Sequence, residues 1–285
     1  MNSFRSSLEG KAGIVTGGSS GFGYAISRGL VGQGARVAAF SMDELSHEAL
    51  VEIRSQGKTG KGAFEHRHQD ITLPGASESM VEQTVELFGK IDFVIANAGF
   101  AMRFEEPLLE MPLDRLSAAM KMQFEVFPVA FATLALAAAR VMAPRFEAIP
   151  ADDMGHRSDS GSIVVTLSEA ALCPLRDDLL AYAAAKRACL SIMESLSGVL
   201  GPRNIRVNGI APGFANTAGP RKFYDRYPKI KEDIEAQNHL APSFIDPGAV
   251  VPAVLYLLTD NYVTGEVIRL DGGFSIQMKK YFQGK

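Results

Sequence analysis

Cysteine is the first scarcity. The 285-residue chain has two, Cys173 and Cys189, with neither C-x-x-C spacing nor a nearby pair of histidines. A disulfide scaffold and a structural zinc site are set aside, and a reducing compartment, the cytoplasm, is expected. Charge of one sign is lacking too. Lys and Arg number 29 against 32 Asp and Glu, a formal net charge of −3, so no basic excess draws the chain to nucleic acid. The longest apolar run, 126–139, is short for a bilayer span and holds Pro128, so no membrane partner is expected. Met1 to Gly10 carries Arg5 and Glu9 without an apolar core, unlike a secretory leader. Repeats and low-complexity tracts are absent.

What is present is an ordinary globular composition, 47% hydrophobic and 21% charged, over a length that fits one α/β domain, 1–285, better than two small ones. Apolar runs at 12–15, 36–40, 64–68, 92–96, 162–167, 205–210 and 266–270 read as seven strands. Helical stretches fall between them: 24–30, 45–55, 78–88, 113–142 (interrupted by Pro128) and 180–200. The segment 144–161 is polar and reads as a surface loop. Strands alternating with helices predict a doubly wound α/β fold, its mostly parallel sheet covered by helices on both faces.

The chain is organised around Thr16-Gly17-Gly18-Ser19-Ser20-Gly21-Phe22-Gly23, between the first strand and first helix. Glycines let a backbone approach a pyrophosphate, and a helix N-terminus offers unpaired N–H groups. The other chemical residues fall where strands end, the face on which such sheets bind ligands. Asp70 follows the third strand, as an acceptor for an adenine amino group or as a turn residue. Asn97-Ala98-Gly99 closes the fourth, as room for a cofactor or a plain turn. Pro212-Gly213, leading to Thr217, follows the sixth. Tyr182 and Lys186 stand at i and i+4 on one helix face. The ammonium is expected to lower the phenol's pKa and make Tyr182 a general acid or base.

In this order, these motifs resemble the short-chain dehydrogenase/reductase family in its single-domain Rossmann form, including its oxoacyl-reductase-like and alcohol-dehydrogenase-like members. The resemblance runs from about Leu8 to Ser275 and includes Tyr262-Val263-Thr264-Gly265 and Asp271-Gly272-Gly273 near the end. It implies hydride transfer between NAD(P)(H) and a small carbonyl or secondary alcohol substrate. It implies that Tyr182 exchanges the proton, that Lys186 holds the nicotinamide ribose, and that a serine steadies the substrate oxygen. The implied cofactor contacts are Gly17, Ser19, Ser20, Gly21, Phe22, Gly23, Ser41, Asp70, Ile71, Asn97, Ala98, Gly99, Tyr182, Lys186, Pro212, Gly213 and Thr217. A variable substrate lid over 214–242 and a homotetramer or dimer, built on the helix 183–200 and the one before it, are implied as well.

The sequence departs from that family at two places. Counting back from Tyr182 puts Glu169 in the serine position, whereas counting along the strand puts Ser168 there. An insertion in the loop after it favours Ser168. No asparagine lies between Asn97 and Asn204, so the relay asparagine of the middle helix is replaced, by Met122 or Gln123. These departures leave two alternatives open: a dehydratase, epimerase or lyase on the same fold, and a weakly catalytic nucleotide-binding regulator. After the second strand come Ser41, Met42 and Asp43, which leaves NAD and NADP undecided. For the substrate wall the expectation is Met102, Phe104, Leu172, Phe214 and Phe223, with Arg103, Arg176, Arg221 and Lys222 for an anionic group.

Overall fold

The computed structural model describes residues 7–57, 62–148, 160–173 and 177–276. Seven strands form its frame: β1 (Ala12–Thr16), β2 (Arg36–Ser41), β3 (Ala63–His68), β4 (Phe93–Ala96), β5 (Gly161–Thr166), β6 (Ile205–Pro212) and β7 (Val267–Leu270). They pair in the order β3-β2-β1-β4-β5-β6-β7, every pair parallel, so the mostly parallel sheet is a wholly parallel one. The inner strands β1, β5 and β6 are buried along their full length. That is why they read as continuous apolar runs rather than as alternation.

Among the described residues, ten α-helices join these strands: α1 (Gly21–Gly32), α2 (His47–Ser55), α3 (Ala76–Phe88), α4 (Leu113–Phe124), α5 (Ala130–Met142), α6 (Arg145–Ala148), α7 (Leu180–Leu200), α8 (Ala218–Arg226), α9 (Pro228–Gln237) and α10 (Val251–Thr259). Neighbouring residues of β1 face opposite sides. Ile14 packs with Met80 of α3, Leu134 of α5 and Met193 of α7 in one core. Val15 packs with Ile26 of α1, Ile53 of α2 and Leu257 of α10 in the other.

Pro128 does not stop its helix. Residues Glu125–Val129 form one π-helical segment that carries α4 into α5. The missing proline N–H is absorbed by the wider turn. The stretch Leu113–Met142 is thus 30 residues long, enough by length and hydropathy to cross a bilayer, with half of its most apolar window buried. Phe131, Leu134, Ala135, Ala138 and Met142 of that stretch are core residues of the sheet's first face.

Within the expected surface loop 144–161, the described residues include the short helix α6. Arg145 opens α6 and donates to Asp92 Oδ1 at 2.8 Å and to the Ile91 carbonyl at 2.7 Å. Residues 149–159 lie outside the described ones. Asp92 also takes the Ala12 N–H at 2.9 Å and pairs with Lys90 at 2.9 Å. This cluster pins the starts of β1 and β4, opposite the end where strand C-termini meet the loops. Over that other end lie α8 and α9, with a small core of their own formed by Phe214, Tyr224, Ile234 and Phe274.

Candidate active site

Strand order reverses between β1 and β4. Chains leaving those two strands diverge and open a crevice at their C-terminal ends. The glycine turn lines it. Gly17 has φ +69°, and a Cβ there would lie 2.9 Å from Ala98 Cα. A Cβ on Gly23 would lie 2.1 Å from the Gly17 carbonyl oxygen. Both glycines are therefore required by close backbone approach. Ser20 is the N-cap of α1, yet its side chain bonds none of the first N–H groups, which leaves those donors for an anion. The loop is tied to β2 by Gly17 N–H to Phe40 O at 2.7 Å and Ser19 N–H to Ser41 Oγ at 3.1 Å.

Asn97 clasps three strand ends. Its N–H and that of Ala98 donate to Thr16 Oγ1 at 2.9 and 3.0 Å. Its amide donates to the Thr16 carbonyl at 3.1 Å and accepts from Thr166 Oγ1 at 3.1 Å. Gly99 has φ +144°, and the Phe127 ring fills the place of its Cβ. Asp70 has a turn role: Oδ1 accepts from the N–H and hydroxyl of Thr72 at 2.9 and 2.7 Å, which holds its carboxyl below the usual range.

At the end of β5, Ser168 and Glu169 both face the crevice and are buried, 5% and 4% exposed. Ser168 Oγ accepts from the Ala170 N–H at 3.2 Å and lies 2.8 Å from Glu169 Oε2. It also faces the Tyr182 phenol closely enough to favour its ionised form. Both side chains therefore reach the cleft, the Ser168 hydroxyl directed at the Glu169 carboxyl. Burial pushes Glu169 up, the Ser168 hydrogen bond and the backbone pull it back, and its pKa comes to about 7.

The expected lowering of Tyr182 by Lys186 is not found. Burial first, and Glu169 second, hold the phenol above its usual value of 10.0. The ammonium is directed elsewhere: Lys186 Nζ donates to the Thr166 carbonyl at 2.7 Å and lies 5.8 Å from the Tyr182 ring centroid. Burial brings Lys186 down to about 8.

Of the two candidates for the relay position, Gln123 points inward, fully buried, while Met122 is 48% exposed. Gln123 donates to the Phe100 carbonyl at 3.2 Å and accepts from the Met102 N–H at 3.3 Å. Its amide therefore braces the loop after β4.

Ser168, Glu169, Tyr182 and Lys186 line one cleft of about 740 Å³, together with every expected cofactor residue except Gly23, whereas Met122 and Gln123 do not. Gly23 lies behind, where its missing side chain lets α1 meet the turn. The residues present fit a dinucleotide: a glycine cradle, free helix N–H groups, and a neutral serine and asparagine rim.

The substrate end departs from expectation. Phe214, Phe223 and Arg103 line the cleft, joined by Phe100, Leu179 and Tyr224, which the sequence reading missed. Leu179 and Tyr224 sit at helix positions whose inward face is set only by packing. Phe104 instead packs with Met111, Ala119, Ala181 and Met102, and Leu172 packs on the sheet core. Arg221 donates to Asn216 Oδ1 at 2.6 Å, and neither it nor Lys222 lines the cleft. Arg176 lies outside the described residues. Arg103 is already partnered, 2.8 Å from Asp178 Oδ2 and 4.0 Å over the Phe223 ring.

With this geometry in place, the chain was compared with known proteins. A family model described as enoyl-(acyl carrier protein) reductase matches residues 17–275. Short-chain dehydrogenase reductase 3b of Arabidopsis thaliana is 32% identical over 273 residues, 94% of this chain and 97% of that protein. Secoisolariciresinol dehydrogenase of Forsythia intermedia is 31% identical over 277 residues, 94% of this chain and 90% of that one. Among solved structures, a short-chain type dehydrogenase/reductase from Mycobacterium ulcerans superposes with a TM-score of 0.80. It is 26% identical and covers 95% of this chain and 92% of its own.

Proposed function

The chain belongs to the short-chain dehydrogenase/reductase family, an NAD(P)-dependent oxidoreductase acting on alcohols and carbonyls, and from that premise we propose how its own residues do the work. When held in this cleft, a nicotinamide would supply hydride to the substrate carbon or accept it from there. Tyr182 passes the proton to the substrate oxygen, or removes it, as general acid or base. Ser168 holds that oxygen by hydrogen bond. Lys186, its ammonium fixed on Thr166 O, faces the nicotinamide ribose. Gly17, Ser19, Ser20, Gly21 and Phe22 receive the pyrophosphate, and Pro212, Gly213 and Thr217 wall the nicotinamide. The observation that carries this reading is that Ser168, Tyr182 and Lys186 share one cleft with the glycine turn.

The dinucleotide is NAD(H). Asp43 and Asp70 line the end of the cleft next to β2 and β3, and the basic side chains among the described lining residues, Arg103 and Lys186, stand at the other end. A carboxylate there accepts from a ribose 2′-hydroxyl and repels a 2′-phosphate. Titration with NADH and NADPH, followed by nicotinamide fluorescence in this tryptophan-free chain, is the test. NADH binds at least tenfold tighter, and the Tyr182→Phe variant binds it equally well while losing two to four orders of magnitude in turnover. Equal turnover by Tyr182→Phe defeats the reading.

The protein works as a homotetramer or dimer. Met122, Val129 and Leu136 are exposed at seven-residue spacing along α4 and α5, and Val199 is exposed on α7. Light scattering behind size exclusion measures this, and charged substitutions at Val129 and Leu136 are expected to release monomers. The two free thiols, Cys173 and Cys189, support a cytoplasmic location, which cell fractionation tests.

A further inference from the structure

A serine hydroxyl has one hydrogen to give and two lone pairs to fill. Around Ser168 the claims on them exceed what one arrangement can serve. The Ala170 N–H takes one lone pair at 3.2 Å. Glu169 Oε2 lies 2.8 Å away, and the Tyr182 hydroxyl faces the same oxygen. A carboxylate only accepts, so an ionised Glu169 takes the serine hydrogen and leaves none for a substrate oxygen. A protonated Glu169 donates instead. It then fills the second lone pair, and the serine hydrogen is released to the cleft, which Tyr182 also lines.

Resting on the family reading above, we propose that Glu169 is a positioning residue that decides which way the Ser168 hydrogen points, and that carbonyl reduction runs through the form in which Glu169 is protonated and donates to Ser168. In that form the carbonyl oxygen receives two hydrogen bonds, from Ser168 and Tyr182. The hydride arrives at carbon from the reduced nicotinamide, the C=O π pair moves to oxygen, and the Tyr182 proton follows. The Glu169 proton comes from solvent and is not consumed.

The surroundings suit this role. Glu169 is 4% exposed, and its carboxyl meets the Ser168 hydroxyl and a backbone N–H. The charged and titratable groups around it are Arg103 from the loop after β4, Asp271 after β7, Tyr182 and Lys186 on α7, Cys173 beyond the turn, and Tyr224 on α8. Asp271 works against its ionisation and Arg103 for it. Arg103 is itself held by Asp178 at 2.8 Å. Burial outweighs both, so the carboxyl changes form near neutral pH, at about 7.

The test is the pH profile of kcat/KM for carbonyl reduction from pH 5.5 to 9, in wild type, E169Q and Tyr182→Phe. Wild type should fall through a limb near pH 7, approaching tenfold per unit above it. A glutamine amide donates to Ser168 at every pH, so E169Q should hold the low-pH rate across neutrality, leaving only a later limb from Lys186. NADH affinity and thermal midpoint of E169Q, unchanged, exclude a folding defect. A wild-type profile flat between pH 6 and 7.5 overturns the proposal without any variant, as does a neutral limb that survives in E169Q. If Tyr182→Phe is inactive in either case, the family reading stands and only the role of Glu169 falls. Full activity in Tyr182→Phe removes the family reading first.

Discussion

The Lys186 ammonium lies 3.9 Å from the centroid of the Phe127 ring, while its hydrogen bond goes to the Thr166 carbonyl at 2.7 Å. Phe127 also meets Tyr182 edge-on, with centroids 5.5 Å apart. One aromatic side chain on the π-helical segment therefore supports both members of the Tyr-Lys pair. A cation over a desolvated ring gains on the order of 2 kcal/mol, which offsets part of the cost of burying the charge.

Phe127→Ala should cost roughly 3–5 kcal/mol of stability, as large-to-small core changes do. It also admits water beside Lys186. Because burial is the main cause that brings Lys186 down to about 8, the alkaline limb of turnover should move upward. Denaturant melts give the first quantity and a pH profile of kcat gives the second. An alkaline limb that stays in place would show that the ring does not control hydration of the ammonium.

Gly23→Ala tests the glycine turn without touching its lining. The added Cβ would lie 2.1 Å from the Gly17 carbonyl oxygen, so α1 and the turn must separate. NADH affinity should fall about a hundredfold, equal to roughly 2.7 kcal/mol. Nicotinamide fluorescence measures it. The comparison is Gly10→Ala, whose Cβ meets nothing within 4 Å. That variant carries only the strain of φ +71° and should bind NADH normally.

Much of this site was legible in the residues. The helix 180–200 and the seven strands follow from apolar runs and their spacing, and the residues expected to meet a cofactor, read from the glycine turn, the strand ends and the family resemblance, line the cleft with the exception of Gly23. The substrate wall was legible only in part, since Phe214, Phe223 and Arg103 line the cleft as expected while Phe104 and Leu172 do not. Phe104 and Phe223 are both aromatic residues in loops or short helices. Tertiary packing alone sends Phe104 into a satellite core with Met111 and Phe223 into the cleft over Arg103. Thr16 was read only as the opening of the glycine turn and Thr166 only as a residue of the fifth strand, since the Asn97 clasp joins positions up to 82 apart. The choice between Met122 and Gln123 turned on one step of helix phase, 100° of rotation, which the buried face of α4 decides.

Cofactor preference should be reversible at the rim. Met42 is 62% exposed and lines the cleft beyond Ser41. Met42→Arg places a guanidinium beside the ribose end, and a charge-assisted hydrogen bond to a 2′-phosphate is worth about 1.5–3 kcal/mol. NADPH affinity should rise at least tenfold with little change for NADH, and pairing it with Asp43→Asn should add to the gain. Fluorescence titration of the three proteins, wild type and the two variants, reads this directly. No gain for NADPH in either variant would place the ribose away from Met42.

The last prediction concerns the opposite end of the sheet. Burial works to raise the Asp92 carboxyl. Lys90, the Ala12 N–H, Lys11 and Arg145 outweigh it, so the group is held below its usual value of 3.8. A carboxyl depressed in the folded state contributes stability in full above its unfolded value. That contribution is lost as pH falls through the lower, folded one. Asp92→Asn keeps the shape and removes the charge. It should cost about 2 kcal/mol at pH 7, the scale of hydrogen bonds to a charged group. The gap between wild type and variant should stay constant down to about pH 4 and close below it. Denaturant midpoints at pH 7, 5, 3.5 and 2.5 measure this. A gap that persists unchanged at pH 2.5 would mean that the cost comes from the amide set against the surrounding donors rather than from the lost charge, and that Arg145 anchors α6 through the Ile91 and Ser160 carbonyls.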